Sequence, residues 1–139
     1  MTAAFAINTI SETTPSKIPT TIKSLVVDDN LITGKILSKI LTKEFNHQVT
    51  FVPSGNEALN KLSQNIYDLV FMDIDMPELS GVETSIRIRN SNNIMEENRV
   101  VPIFAYTTNK WDEKFLNAGM VSITSLDKVQ AVIETVSRR

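Results

Sequence analysis

Short apolar runs alternate along this chain with segments in which apolar residues recur at helical spacing. The runs Leu25–Val27, Leu69–Met72 and Ile103–Ala105 are almost continuously apolar, as is typical of strands buried on both faces of a parallel sheet. In the first intervening segment Ile36 and Ile40 are four residues apart, so they share one face of a helix. Because strand and helix alternate five times, the sequence predicts an α/β fold in which helices cover both faces of a parallel sheet.

The same pattern gives approximate bounds for each element. Strands are expected to begin at Ser24 and to cover residues 48–52, 68–72, 100–105 and 121–124. Helices are expected over residues 31–45, 82–89, 111–117 and 127–138, with a further helix after Ser54, where Ser54 and Glu57 form a capping box. A long polar connection, residues 90–98, precedes the fourth strand.

The first 22 residues differ in composition from the rest of the chain. They are rich in Thr and Ser, and Pro15 and Pro19 interrupt any regular element. We therefore predict a disordered tail over residues 1–22 and one domain over residues 23–139, a length that suits a single core.

Composition excludes several classes of function. The net charge of -2 and the lack of a recognisable DNA-recognition helix argue against a nucleic-acid partner. No apolar stretch reaches the ~20 residues of a membrane span. There are no cysteines and only one histidine, His47, which excludes disulfides and thiolate or histidine metal clusters. We expect a cytoplasmic protein with access to the nucleus.

Polar residues stand where three of the predicted strands end. Asp28 and Asp29 follow the first strand, Asp73 the third and Thr107 the fourth. The carboxyl ends of parallel strands form the functional edge of such sheets, so these side chains should converge. Crowded carboxylates favour a bound cation, and oxygen ligands suit Mg²⁺. Taken singly, each aspartate could instead cap the next helix, and Thr107 could be a turn residue.

Three motifs give the chain a resemblance to a known family. They are the acidic stretch Asp28–Asn30, the strand and Met-Pro…Gly loop Val70–Gly81, and the strand Pro102–Thr107 with its terminal hydroxyl. Together they resemble the receiver domain of response regulators, the CheY-like phosphoacceptor of two-component phosphorelays. The spacing between Asp29 and Asp73 also matches that family. The small fungal stress-response regulators are the most similar members.

The resemblance implies a fold, a site and a set of partners. The fold would be flavodoxin-like, with strand order 2-1-3-4-5. Asp73 would accept a phosphoryl group from a histidine phosphotransfer protein or a hybrid histidine kinase. Mg²⁺ would be held by Asp29, by Asp73, by the backbone carbonyl of Asp75 and, through a water molecule, by Asp28. Thr107 would contact the phosphate. The chain would be a signalling domain in stress adaptation, with only self-phosphorylation and slow autodephosphorylation as chemistry.

The chain departs from the family near its end. Leu126 stands where receivers have a lysine, followed by Asp127 in place of proline, and Ile123 replaces the usual aromatic switch residue. Lys128 is close in sequence, but we favour the interpretation that this cation is missing. Phosphorylation should survive, because nucleophile and metal remain, while its coupling to the distal face should weaken.

Two other functions compete with this interpretation. Asp73 and Asp75 also fit the Asp-x-Asp motif of haloacid-dehalogenase-type phosphatases, but Pro77 stands where that motif has Thr or Val. Alternatively the chain is a degenerate receiver that binds proteins independently of phosphate. A binding module has no physical need to crowd three carboxylates, which favours the phosphoacceptor.

Overall fold

The elements alternate as the sequence predicts. A computed structural model of the chain describes residues 21–106 and 113–122. The strands are β1 (Lys23–Val27), β2 (Gln48–Val52), β3 (Leu69–Asp73), β4 (Ile103–Tyr106) and β5 (Met120–Ser122). The α-helices are α1 (Leu31–Phe45), α2 (Gly55–Gln64), α3 (Gly81–Asn90) and α4 (Glu113–Asn117), and a 3-10 helix, Glu96–Val100, lies between α3 and β4.

The five strands form one parallel sheet in the order β2-β1-β3-β4-β5. This is the flavodoxin-like order 2-1-3-4-5, so the predicted fold is confirmed. The order reverses between β1 and β3, which lie side by side at the centre of the sheet. Ligand sites of open α/β sheets form at the carboxyl ends of the strands at such a reversal.

The core has two layers, one on each face of the sheet. Successive side chains of a strand point to opposite faces. On one face Val26, Phe71 and Phe104 pack with Leu41 of α1. On the other face the strand residues pack with apolar residues of α2 and α3, among them Ala58, Leu62 and Ile88. The near-continuous apolar runs therefore result from burial on both faces.

The predicted bounds are confirmed most closely where periodicity and caps coincide. The expected helix over residues 31–45 and strand over 48–52 match α1 and β2, and the Ser54 hydroxyl accepts a hydrogen bond from the Glu57 N–H at the start of α2. The other described strands are shifted by one to three residues at their ends. The tail through residue 20, Thr107 and the closing helix lie outside the described residues. No helix in the described part of the chain is long and apolar enough to cross a membrane.

The long polar connection predicted over residues 90–98 contains part of a 3-10 helix, Glu96–Val100, which the sequence analysis did not predict. Its 3-10 helix is held by Asn98, whose side chain is fully buried. The Asn98 amide donates to the carbonyls of Leu62 and Asn65 at the end of α2, at 2.8 and 2.6 Å. Its Oδ1 accepts from the Tyr67 N–H at 3.1 Å. These partners lie more than 30 residues away in sequence, so local patterning could not reveal the anchor.

We expect Asn98→Ala to lower the free energy of unfolding by about 3 kcal/mol, because three hydrogen bonds are lost and their partners stay buried. Urea unfolding measures the change. Asn93→Ala is the matched control, since the Asn93 side chain is exposed in the same connection. Equal stabilities of the two variants would show that Asn98 does not anchor the segment.

Candidate functional site

Three carboxylates meet at the carboxyl edge of the sheet. Asp73 is the last residue of β3, and Asp28 and Asp29 follow directly after β1. Val27 of β1 is in register with Met72 of β3, so the residues that follow each lie side by side. One oxygen from each of Asp28, Asp29 and Asp73 lies within 4.8 Å of the other two. The convergence predicted for these aspartates is therefore present.

Helix capping does not explain the acidic pair. The N-cap of α1 is Asn30, whose side chain accepts hydrogen bonds from the N–H groups of Ile32 and Thr33. Asp28 is 2% exposed, and its Oδ1 accepts from the Asn30 N–H at 2.9 Å. Asp29 is exposed beside it. Asn30 satisfies the helix end, which leaves Asp29 and the second oxygen of Asp28 for other partners.

The loop after β3 holds Asp73 in place. The Asp75 N–H donates to Asp73 Oδ1 at 3.3 Å, and the Gly81 N–H donates to the Ile74 carbonyl at 3.0 Å. A Cβ atom on Gly81 would lie 2.3 Å from the Asp73 carbonyl oxygen. No side chain fits in that space, so glycine is required for α3 to begin this close to the strand end.

Charge crowding changes the ionisation of Asp73. Burial is the largest cause, and together with the hydrogen bond and negative charge of Asp28 it raises the pKa of Asp73 from an ordinary value of 3.8 to about 8. The hydrogen bond from the Asp75 N–H opposes this only in part. Without a cation, Asp73 therefore holds a proton near neutral pH.

The oxygen atoms of the site suit a divalent cation that prefers oxygen ligands. The ligands available are carboxylate oxygens, which Mg²⁺ prefers, in an open cleft of about 450 Å³ with room for coordinated water. The cleft is lined by Asp28, Asp29, Asn30, Thr33, Asp73, Asp75 and Tyr106. A positive charge there would relieve the repulsion that raises the Asp73 pKa. The ion would be held by Asp28, Asp29 and Asp73. Coordination by the backbone carbonyl of Asp75 remains a prediction.

The sequence analysis missed Tyr106 as a site residue and named Thr107, which lies outside the described residues. Tyr106 ends β4, in register with Asp73, and its hydroxyl donates to Asp28 Oδ2 at 2.9 Å. The sequence offered a partial indication of this role, because Tyr106 is the last residue of an apolar run whose end lies at the functional edge of the sheet. Its reach to Asp28 depends on the strand order and register, which the sequence does not show.

Comparison with known proteins identifies the family. The model of the response regulator receiver domain matches residues 24–134. The chain therefore belongs to the response regulator receiver family, the phosphoacceptor domains of two-component and phosphorelay systems. This membership favours the receiver over the phosphatase alternative, and it agrees with the strand order and the acidic cluster.

Two curated relatives illustrate the family. The chain is 37% identical over 123 residues to hybrid signal transduction histidine kinase L of Dictyostelium discoideum, a match covering 84% of this chain and 7% of that protein. It is 39% identical over 72 residues to stress response regulator protein 1 of Scheffersomyces stipitis, covering 51% of this chain and 25% of that protein. The chain thus spans a small part of the length of these relatives.

Solved receiver domains share the fold. The receiver domain of sensor histidine kinase PA1611 of Pseudomonas aeruginosa, with a magnesium ion coordinated in its active-site cleft, has a TM-score of 0.73 and 26% identity, over 86% of this chain and 100% of that one. The receiver domain of histidine kinase CKI1 of Arabidopsis thaliana, complexed with Mg²⁺ and BeF₃⁻, has a TM-score of 0.70 and 27% identity, over 85% and 91%.

The contribution of Asp73 to the stability of the metal-free protein should fall as pH rises from about 4 to about 8. In this window folded Asp73, with a pKa of about 8, binds a proton that the unfolded chain has released, so rising pH favours unfolding. Asp73→Asn removes this contribution. The variant should match the parent near pH 4 and exceed it by about 1 kcal/mol at pH 8, a value reduced for solvent screening of a half-buried group.

Urea unfolding in EDTA at a series of pH values measures the difference between the two proteins. His47 titrates in both, so the difference isolates Asp73. Glu44→Gln, which removes an exposed carboxylate on α1, is the control. A difference that does not change with pH would contradict the proposed ionisation, and added Mg²⁺ should reduce the difference.

Proposed function

We propose that this domain accepts a phosphoryl group on Asp73 within an intracellular phosphorelay. The observation that carries the proposal is the convergence of Asp28, Asp29 and Asp73 at the reversal of the sheet. A nucleophilic carboxylate beside an acidic pair suits metal-assisted phosphoryl transfer. Family membership supports the same chemistry.

The reaction forms one bond and breaks one. An Asp73 Oδ atom attacks the phosphorus of a phosphohistidine, a P–O bond forms and the P–N bond breaks. The imidazole keeps the electron pair of that bond and takes up a proton. Asp73 must be deprotonated to attack, and the burial and carboxylate crowding that raise its pKa work against this in the metal-free site. Water later hydrolyses the acyl phosphate slowly.

The acidic pair Asp28 and Asp29 supplies ligands for a cation that would offset the negative charge of the phosphoryl group. Asp28, fixed by the Asn30 N–H, and exposed Asp29 would hold Mg²⁺ together with Asp73. Bound there, the ion would neutralise carboxylate and phosphoryl charge. We assign the phosphate contact to Thr107, which follows Tyr106 at the end of β4.

The relatives support a proposal for the pathway. Hybrid histidine kinases and a stress response regulator are among them, so we infer a donor that is a histidine phosphotransfer protein or a hybrid histidine kinase, and a role in stress signalling. Cytoplasmic and nuclear location is part of the same proposal.

Intact-mass spectrometry after incubation with acetyl phosphate tests the phosphoacceptor. The parent should gain one phosphoryl group when Mg²⁺ is present and none in EDTA. Asp73→Asn should gain none, because it lacks the nucleophile, and Glu44→Gln should behave as the parent. A folded parent that gains no phosphoryl group would favour the degenerate receiver, which binds proteins independently of phosphate.

The donor needs a surface beside the cleft, and α1 offers one. Leu31, Ile32 and Ile36 near its start are 54%, 73% and 56% exposed. They lie within two turns of the Asn30 cap, which itself lines the cleft. Large apolar side chains exposed together mark protein contacts. We assign this α1 patch (Leu31, Ile32 and Ile36) to docking of the phosphohistidine donor.

Ile32→Glu should slow transfer from a phosphorylated histidine phosphotransfer domain about tenfold or more, because a charge is placed in an apolar contact. Its rate with acetyl phosphate should not change, since a small donor needs no docking. Val100→Glu, at a site 79% exposed in the 3-10 helix, is the matched control. Equal slowing with both donors, or none with either, would rule out the α1 patch as the docking surface.

A further inference from the structure

Tyr106, the last residue of β4, reaches the acidic cluster at the ends of β1 and β3. It is paired in register with Asp73 on β3, yet its hydroxyl donates to Asp28 beyond the end of β1. β3 lies between β4 and β1, so the side chain crosses one strand to reach the acidic pair. The hydroxyl also lies 3.5 Å from the Val27 carbonyl oxygen.

The ring of Tyr106 has a fixed place. It packs against the core layer that contains Val26, Phe71 and Phe104, and it is partly buried there. The ring therefore has little freedom to turn, and the hydroxyl is held where Asp28 needs a donor. A phenylalanine would fill the same apolar space and would lack only the hydroxyl.

The Tyr106 hydroxyl supplies a donor to the second carboxylate oxygen of Asp28. Oδ1 of Asp28 accepts from the Asn30 N–H at 2.9 Å, and Oδ2 accepts from Tyr106 at 2.9 Å. Each carboxylate oxygen can accept more than one bond, so both keep capacity toward a metal ion or its water. Without Tyr106, a carboxylate that is 2% exposed would lose the donor at Oδ2. Side chains that orient metal ligands in this way typically change metal affinity 10–100-fold.

We infer that Tyr106 is a positioning residue for the cation site: its hydroxyl fixes the orientation of Asp28 and thereby raises the affinity for Mg²⁺. The inference rests on the proposed function, in which Asp28 helps to hold the ion. Tyr106 acts through Asp28 and takes no part in bond making. Its contribution should therefore appear in the metal dependence of phosphorylation and not in the rate at saturating metal.

The test compares Tyr106→Phe with Tyr67→Phe. The chain has two tyrosines, and Tyr67 is a buried ring before β3, at the opposite end of the sheet. Titration calorimetry gives the Mg²⁺ dissociation constant of each folded protein, and intact-mass kinetics with acetyl phosphate gives the rate against Mg²⁺ concentration. Tyr106→Phe should bind Mg²⁺ about tenfold more weakly and reach the parental rate at high Mg²⁺. Tyr67→Phe should match the parent in both.

A double-mutant cycle separates positioning from general stability. In an Asp28→Asn background the added Tyr106→Phe change should have no further effect on Mg²⁺ affinity, because the carboxylate through which Tyr106 acts is gone. Equal Mg²⁺ affinities of parent and Tyr106→Phe would overturn the inference while leaving the phosphoacceptor intact. Additive effects in the cycle, or a lower rate at every Mg²⁺ concentration, would also overturn it. A parent that binds no Mg²⁺ would overturn the proposed function and this inference together.

Discussion

Repulsion among the carboxylates at the end of β1 and β3 is the constraint on which the site depends. The sheet brings Asp28, Asp29 and Asp73 within 4.8 Å of one another, and burial prevents water from screening them fully. The fold tolerates this because Asn30 and Tyr106 donate to Asp28 and the Asp75 N–H donates to Asp73. The remaining strain is electrostatic, and a cation or a proton on Asp73 relieves it. Binding of a cation at this edge and the ionisation of Asp73 are therefore coupled.

The rest of the fold supports this edge from a distance. The two core layers fix the register of the central strands, and that register sets which residues meet at their ends. At the opposite end of the sheet Asn98 joins the 3-10 helix to the end of α2 and the start of β3. Gly81 lets α3 begin against the Asp73 backbone. Asp73, the proposed nucleophile, thus lies on a strand that is held at both ends.

Sequence periodicity was sufficient where local pattern and burial agree. The bounds of α1 and β2 follow from helical spacing and from a short run rich in β-branched and aromatic residues. The aspartates converge because they end parallel strands that are neighbours in the sheet. Tyr106 and Asn98 were missed because their hydrogen bonds span 78 and more than 30 residues, so they depend on strand order and packing. The roles of Thr107 and of Leu126, the position of the missing cation, stay predictions, since both lie outside the described residues.

The size of the α1 patch has a consequence for timing. Three exposed side chains would form a small apolar contact, and weak, transient signalling complexes are typically the ones with small interfaces. A donor docked there would leave soon after transfer and, once it was phosphorylated again, could serve another copy of the domain. The duration of the signal would then be set by the hydrolysis of the Asp73 phosphate and not by the residence time of the partner.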